Sequence, residues 1–150
     1  MSSTVFVNAI TLTDSDWFND VNRLHYTILG DPANVSSVAA TLGRIPSNPQ
    51  VTTYTLVAGD AGKAIVHTST DNVNRVYILP ANSTVAFPVE TAITIVNMAS
   101  SNSINISSLL DTVRLAGTGN TSSRLLSAHG IAVLYKTQST EWITNGTGLS

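Results

Sequence analysis

The sequence predicts a mainly β protein in two parts, an N-terminal arm with one or two helices over residues 1–49 and a β module over residues 50–150. One amphipathic helix pattern occurs early in the chain, and after Pro49 the hydrophobic pattern changes from helical to alternating. Short runs rich in Val, Ile, Thr and Tyr then alternate with clusters of Gly, Asn, Asp and Ser. Eight or nine antiparallel strands in a sandwich or jelly-roll-like barrel are the expected architecture of the β module.

The arm begins with a helix predicted over Thr13–Gly30. Acidic residues occupy its first turns, where they suit the positive end of the helix dipole, and Gly30 followed by Pro32 ends it. Its apolar positions recur at spacings of four, three and four residues: Trp17, Val21, Leu24 and Ile28. A helix of this length is marginal in water alone, so we expect this stripe to serve docking or trimerisation. A second, shorter helix is predicted after Pro32.

The β module is predicted to contain nine strands. They are Val51–Val57, Lys63–Ser69, Arg75–Leu79, Ser83–Phe87, Thr91–Met98, Ile104–Ser108, Thr112–Leu115, Ile131–Thr137 and Glu141–Thr144. Segments such as Gly59–Gly62 and Gly117–Ser123 are predicted turns, because their residues accept positive φ or bond their own backbone. The outer strand faces carry Thr and Ser instead of Lys and Glu, which leaves little charge to prevent edge pairing. We therefore expect another subunit to cover the edges.

The composition excludes several classes of partner. Seven basic residues against nine acidic ones give a net charge of −2, so no nucleic-acid partner is expected. No run approaches the roughly 20 apolar residues that span a bilayer, so membrane insertion is not expected either. The chain has no cysteine, which excludes disulfides and thiolate metal sites. Ser, Thr and Asn occupy 51 of the 150 positions, which is typical of a durable sheet with few titrating groups.

The sequence contains no recognisable catalytic constellation. The histidines His25, His67 and His129 are far apart, and none has a second ligand at a metal-binding spacing. The segment Gly117–Gly119 lacks the lysine, the preceding strand and the following helix of a phosphate-binding loop. A glycosidase-type pair of carboxylates is an alternative that only the fold could assemble. The sequence therefore predicts a protein that is not an enzyme and that holds no cofactor or metal.

The β module carries five aromatic residues that either fill a core or stack on a sugar: Tyr54, Tyr77, Phe87, Tyr135 and Trp142. Core filling is favoured, since Tyr135 continues the face of Ile131 and Val133. If part of the set instead serves recognition at the surface, the candidates are Tyr54, Tyr77 and Trp142.

Several segments of the chain resemble known sequences when they are taken in order. In the β module they are Tyr54–Lys63, Val76–Pro80, Val85–Pro88, Ile93–Asn97, Gly130–Lys136 and Glu141–Leu149. Together they resemble a module that recurs at the ends of tailed-bacteriophage virion proteins, especially tail fibres and related appendages. In the arm, Asp16–Asn22 resembles the helical stretch in the front part of many phage fibres and tailspikes.

This resemblance implies a structural virion protein without enzymatic activity, a homotrimer whose arm docks on major capsid or tail proteins. Because the chain has no shaft repeat, the preferred expectation is a protein that decorates and stabilises the capsid or forms a short head fibre. The alternative is a short tail-fibre or tail-tip protein that recognises host surface glycan. Either role places the protein on the virion surface, assembled in the host cytoplasm.

Overall fold

The computed structural model describes residues 44–150, and these form a mixed sheet of nine strands. The predicted helices of the arm, and with them Trp17, Val21, Leu24 and Ile28, lie outside the described residues. The strands are β1 (Ser47–Gln50), β2 (Tyr54–Thr55), β3 (Ala64–His67), β4 (Arg75–Leu79), β5 (Ala92–Asn97), β6 (Ile104–Ser108), β7 (Thr112–Leu115), β8 (Arg124–Gln138) and β9 (Glu141–Leu149). One 3-10 turn, Ala58–Asp60, lies between β2 and β3.

The first six strands alternate between two parallel stacks. Strands β1, β3 and β5 pair in parallel in that order, and so do β2, β4 and β6. The chain passes from one stack to the other and back, because a parallel neighbour is reached by a crossover and not by a hairpin. The prediction of a mainly β module is confirmed, but the antiparallel pairing expected of a sandwich or jelly-roll-like barrel is wrong for the strand pairs within the two stacks.

Strand β8 joins the two stacks into one nearly closed, barrel-like sheet. Its residues 131–135 pair antiparallel with β5, and its residues 124–126 pair antiparallel with β6. Between these two stretches lie His129, with a φ of 57°, and Gly130. Strand β9 runs back along β8, and β7 pairs in parallel with β9.

The core lies on the inward face of the strands. The alternation of buried and exposed residues has the period of two that a sheet requires, as in β5, where Ile93 and Ile95 are fully buried. Partners in register share this inward face, since Ile65 pairs with Ile95 and Ile95 pairs with Ala132. At one end of the core, the ring of Trp142 meets the ring of Phe87 edge-on, with centroids 5.5 Å apart.

Three predicted strands have the predicted bounds, Arg75–Leu79, Ile104–Ser108 and Thr112–Leu115. The predicted strand Ser83–Phe87 is wrong, because the backbone N–H groups of Thr84 and Val85 both donate to the carbonyl of Ala81 and form a turn. Strand β1 was not predicted, since Pro46 directly before it and Pro49 within it indicate a chain break. An edge strand tolerates proline, because one side of the strand needs no ladder hydrogen bonds.

The compact β unit runs from Ile45 to Ser150. Within residues 44–150, no helix has the length and apolarity to cross a bilayer.

Candidate functional site

Two of the three aromatic residues proposed for surface recognition are fully buried. Tyr77 and Trp142 each have 0% of their surface exposed, so neither ring can stack on a sugar. Both side chains lie on the inward face of their strands. Tyr77 shares that face with Leu79 in β4, and Trp142 shares it with Thr144 in β9. The prediction of surface recognition is wrong for these two residues, and the favoured alternative of core filling is confirmed for them.

The third candidate, Tyr54, is partly exposed and anchors the turn between β2 and β3. Its hydroxyl donates to Oδ2 of Asp60 at 2.8 Å and accepts from Nδ2 of Asn48 at 3.1 Å. Desolvation raises the pKa of Tyr54 above its ordinary value, and the hydrogen bond to Asp60 raises it further. Because Asp60 is buried, this hydroxyl holds an interior carboxylate in place.

A buried polar network surrounds Trp142. Asp111 accepts the backbone N–H of Asn82 at 3.0 Å and Nε1–H of Trp142 at 3.4 Å. The ammonium of Lys136 donates to Oδ1 of Asn82 at 2.6 Å and lies 5.3 Å from the centroid of the indole ring. Lys136 is 0% exposed, so its amine is closed to reactants from solvent. This network links the turn after β4 to β8 and β9.

A second cluster lies in the other part of the core, around His67 and Tyr77. The two rings meet edge-on with centroids 6.1 Å apart, and both polar ends are buried without a hydrogen-bond partner among the described residues. Asp71 binds the guanidinium of Arg75 through Nε at 2.7 Å and through Nη2 at 3.1 Å.

Within residues 44–150, no three side chains of His, Cys, Asp or Glu are grouped to hold a metal ion.

Replacing Tyr77 by phenylalanine is expected to raise the thermal midpoint at pH 7. The change removes a buried hydroxyl without a partner, which is worth about 1 kcal/mol of unfolding free energy. Burial raises the pKa of Tyr77 far above the ordinary value of 10.0, so above pH 10 the unfolded chain releases a proton that the folded chain keeps, and the native protein loses stability as the pH rises. The variant should therefore also lose less stability than the native protein between pH 10 and pH 11.

The matched control is Tyr54→Phe, which breaks the hydrogen bond to Asp60 and should lower the midpoint at pH 7. Thermal melts of both variants at pH 7, 10 and 11 check this prediction. A midpoint of Tyr77→Phe below that of the native protein at pH 7 would contradict it.

The outward side of β8 carries a row of exposed apolar side chains. Ile131, Val133 and Tyr135 are 46%, 41% and 40% exposed, whereas the intervening Ala132 and Leu134 are buried. Tyr135 was predicted to fill the core together with Ile131 and Val133, and that prediction is wrong. The row does share one face, as predicted, but that face points outward.

This row continues across the neighbouring strands, because residues directly opposite each other in a sheet lie on the same face. Val133, for example, is opposite Thr94 in β5 and Asn145 in β9, and Thr94 is opposite Ala64 in β3. We call this surface the outer face. Its members are Ser47, Pro49, Ala64, Val66, Ala92, Thr94, Val96, Ile131, Val133, Tyr135, Ile143, Asn145 and Thr147.

The outer face carries no charged residue on β1, β3, β5 and β8, and it ends beside β7 at one ion pair, Arg114 opposite Ile143 with Glu141 of β9. A soluble surface of this many positions carries about three or four charged side chains. Five strands about 4.8 Å apart, with an outer length of about 17 Å, give a flat area on the order of 400 Å². Uncharged apolar patches of this size mark interaction surfaces in soluble proteins.

A polar cavity of about 260 Å³ lies at the other stack, beside the ends of β6 and β7. Its lining is dominated by hydroxyl groups and consists of Ser107, Ser108, Asp111, Val113, Thr121, Ser122 and Ser123. Leu109 and Leu110, which are 63% and 80% exposed, lie in the turn between Ser108 and Asp111. The cavity therefore offers hydroxyl groups and one carboxylate to a small polar ligand.

No known protein helps to identify the role of the outer face or of the cavity. Comparisons of the chain with protein-family models, curated sequences and solved structures gave no match. The outer face and the cavity are therefore the structural observations on which a functional argument can be based.

Sequence reasoning missed both features for identifiable reasons. Ile131, Val133 and Tyr135 alternate with residues that are almost as apolar, so the pattern does not indicate which face is inward. The cavity is lined by two segments that are 13 or more residues apart in sequence, Ser107–Ser108 and Thr121–Ser123. The pairing of β6 with β8 brings them together, and no local pattern encodes that pairing.

Proposed function

We propose that this chain is a structural subunit of a tailed-bacteriophage virion, without enzymatic activity, that associates with copies of itself as a homotrimer through the outer face. The single observation that carries the proposal is the absence of charge from that face across β1, β3, β5 and β8, up to the ion pair Arg114–Glu141 at its border. The resemblance of the sequence segments to phage fibre modules supports the assignment to a virion and the trimeric state.

Physical arguments favour a second copy of the chain as the occupant of the outer face. A sheet that faces water on one side normally alternates apolar and polar residues, and charges on the wet side discourage association. Here the wet side is apolar at Val66, Val96 and Ile131, which are neighbours across three strands. A standard interface buries about 800 Å² per partner, so the outer face forms the centre of the contact and the polar residues around it form the rim.

Replacing Val133 by lysine is expected to convert the trimer to monomers. The substitution places an unpaired charge at the centre of the interface, which costs about 3 kcal/mol or more and weakens association at least about a hundredfold. The matched control is Ser139→Lys, which adds the same charge in the exposed turn between β8 and β9. Light scattering after size exclusion, over a range of protein concentrations, measures the mass of each variant.

Thermal melts serve as the folding control, since Val133 is exposed in one copy and its replacement leaves the core intact. A native chain that is monomeric at about 100 µM contradicts the proposal. So does a Val133→Lys variant that keeps the mass of the native protein.

Capsid decoration and receptor binding on the tail are separated by a second experiment. The decoration role predicts that labelled protein binds the heads of particles that lack it. The tail role, which the hydroxyl-lined cavity favours, predicts that saturating protein slows adsorption of the phage to its host. Labelling of heads without any effect on adsorption supports decoration, and the reverse result supports the tail role.

A further inference from the structure

A fully buried lysine amine lies against the side-chain amide of Asn82. Nζ of Lys136 is 2.6 Å from Oδ1 of Asn82, although the two residues are 54 positions apart in the chain. Lys136 is 0% exposed, and among the described residues this neutral amide is the only hydrogen-bond partner of its amine. A buried charge is costly unless an opposite charge compensates it, so this setting favours the uncharged form of the amine.

An uncharged amine in contact with an amide can replace the nitrogen of that amide. The lone pair of Nζ attacks Cγ of Asn82, the carbon to which the contacted Oδ1 is bonded. A bond between Nζ and Cγ forms, the bond between Cγ and Nδ2 breaks, and Nδ2 leaves as ammonia with the proton that Nζ loses. The reaction needs no oxidant or other reactant, because one amide is exchanged for another. Its product is an isopeptide bond between two side chains.

The fold holds both groups in this position. Oδ1 of Asp111 accepts the backbone N–H of Asn82 at 3.0 Å, and its Oδ2 accepts Nε1–H of Trp142 at 3.4 Å. The indole ring of Trp142 in turn lies 5.3 Å from Nζ of Lys136. Asp111 is therefore a positioning residue, which fixes both the turn of Asn82 and the ring beside the amine. Well-oriented groups within one molecule react as if their concentration were on the order of 10⁵ M or more.

We propose that Lys136 and Asn82 form an intramolecular isopeptide bond, from Nζ to Cγ with release of ammonia, and that the structure shows the two groups before the bond forms. The bond joins β8, which closes the sheet, to the turn after β4. A cross-link over 54 positions restricts the unfolded chain as a disulfide does, and so stabilises the fold. This inference goes beyond self-association, because neither residue belongs to the outer face.

The test is the intact mass of the full-length native protein, measured by mass spectrometry. Loss of ammonia is expected to place this mass about 17 Da below the value calculated from the sequence, with allowance for removal of Met1. Trypsin does not cleave after a lysine whose amine is in an amide bond, so the digest should contain residues 76–114 joined to residues 125–150. Fragmentation of this joined pair should place the link between Lys136 and Asn82.

Lys136→Met and Asn82→Ala each remove one reacting group, and each should restore the calculated mass. The matched controls are Lys63→Met, at a partly exposed lysine, and Asn145→Ala, at an exposed asparagine, and both should keep the deficit of about 17 Da. Asn145 precedes Gly146, where ring closure on the backbone would also release ammonia but without a cross-link. The Asn145→Ala control therefore separates the two reactions.

Asp111→Ala tests the positioning role. It removes the acceptor for the backbone N–H of Asn82, so the freshly purified variant should contain both the linked and the unlinked mass, whereas the native protein is fully linked. Asp111→Asn keeps an oxygen for this N–H and should be linked more completely than Asp111→Ala. Circular dichroism checks that both variants are folded. Complete linkage in Asp111→Ala would contradict the positioning role.

The thermal midpoint gives a second readout. Lys136→Met lacks the cross-link and should melt about 10 °C or more below the native protein. A hydrogen bond alone predicts a midpoint close to the native one, because the variant then only replaces a buried charge by an apolar side chain. The proposal is overturned if the native protein has the calculated mass, if trypsin cleaves it after Lys136, or if the deficit persists in Lys136→Met. None of these results depends on the oligomeric state.

Discussion

Replacement of Trp142 by alanine is expected to lower the free energy of unfolding by about 4 kcal/mol, within the range for deletion of a fully buried large aromatic ring. Beyond the cavity that it leaves, the change removes the edge-on contact with Phe87 and the ring beneath the ammonium of Lys136. It also removes one of the two donors to the carboxylate of Asp111. Because small domains have only about 5–15 kcal/mol in total, the variant should be partly unfolded at 37 °C.

Urea unfolding followed by circular dichroism measures this loss. Trp142→Phe is the matched variant, since it keeps an aromatic ring in the core and removes only the indole N–H and part of the volume, and it should cost about 1–2 kcal/mol. Tyr135→Ala removes an aromatic side chain from the outer face and should cost far less in the isolated subunit, within about 0.5 kcal/mol. A loss for Trp142→Ala that is no larger than that for Tyr135→Ala would contradict the prediction.

The second large effect is expected for Gly146→Ala, which should destabilise the fold by about 3 kcal/mol. Gly146 lies in β9 opposite Ala132, and an added Cβ would lie 2.1 Å from the carbonyl oxygen of Ile131 and 2.6 Å from Cα of Ala132. Both contacts are with backbone atoms, so no rotamer change can relieve them. Strands β8 and β9 must separate at this point, which also distorts the outer face.

Gly59→Ala is the matched control for Gly146→Ala. It makes the same chemical change in the turn before β3, where an added Cβ meets nothing within 4 Å. Its effect should be within about 0.5 kcal/mol, measured in the same urea series by the same signal. Equal losses for the two glycine variants would contradict the packing argument.

The strands that were predicted correctly are those whose ends are marked by neighbouring turn-forming residues. Arg75–Leu79 is a short run of β-branched and apolar residues between Asn74 and Pro80, and Ile104–Ser108 begins directly after the cluster Ser100–Ser103. The direction of pairing leaves no such local signal, because an alternating strand looks the same beside a parallel or an antiparallel neighbour. The parallel stacks therefore could not be read from the sequence.

Strand β8 shows why the site was harder to predict than the strands. In a typical half-buried strand the lysine points outward and the tyrosine points inward, but here Lys136 is buried and Tyr135 is exposed. Asn82 and the ring of Trp142 stabilise the inward ammonium, and both come from distant parts of the chain. Tertiary contacts thus reversed the orientation that local polarity indicates.

The position of β8 between the two stacks has a consequence for how the chain is made. Its partners in β5 and β6 are synthesised first. Strand β5 therefore has an unpaired edge until β8 is made, since Ala92 pairs with Tyr135. Until residues 124–149 leave the ribosome, the growing edges of both stacks stay unpaired, and such edges invite aggregation. Closure over these long sequence separations is slow, so this module is expected to fold only after β8 and β9 have left the ribosome. A nascent chain that stalls before β8 would then be a target for chaperones and proteases, which makes the synthesis of β8 and β9 a checkpoint for the quality of the module.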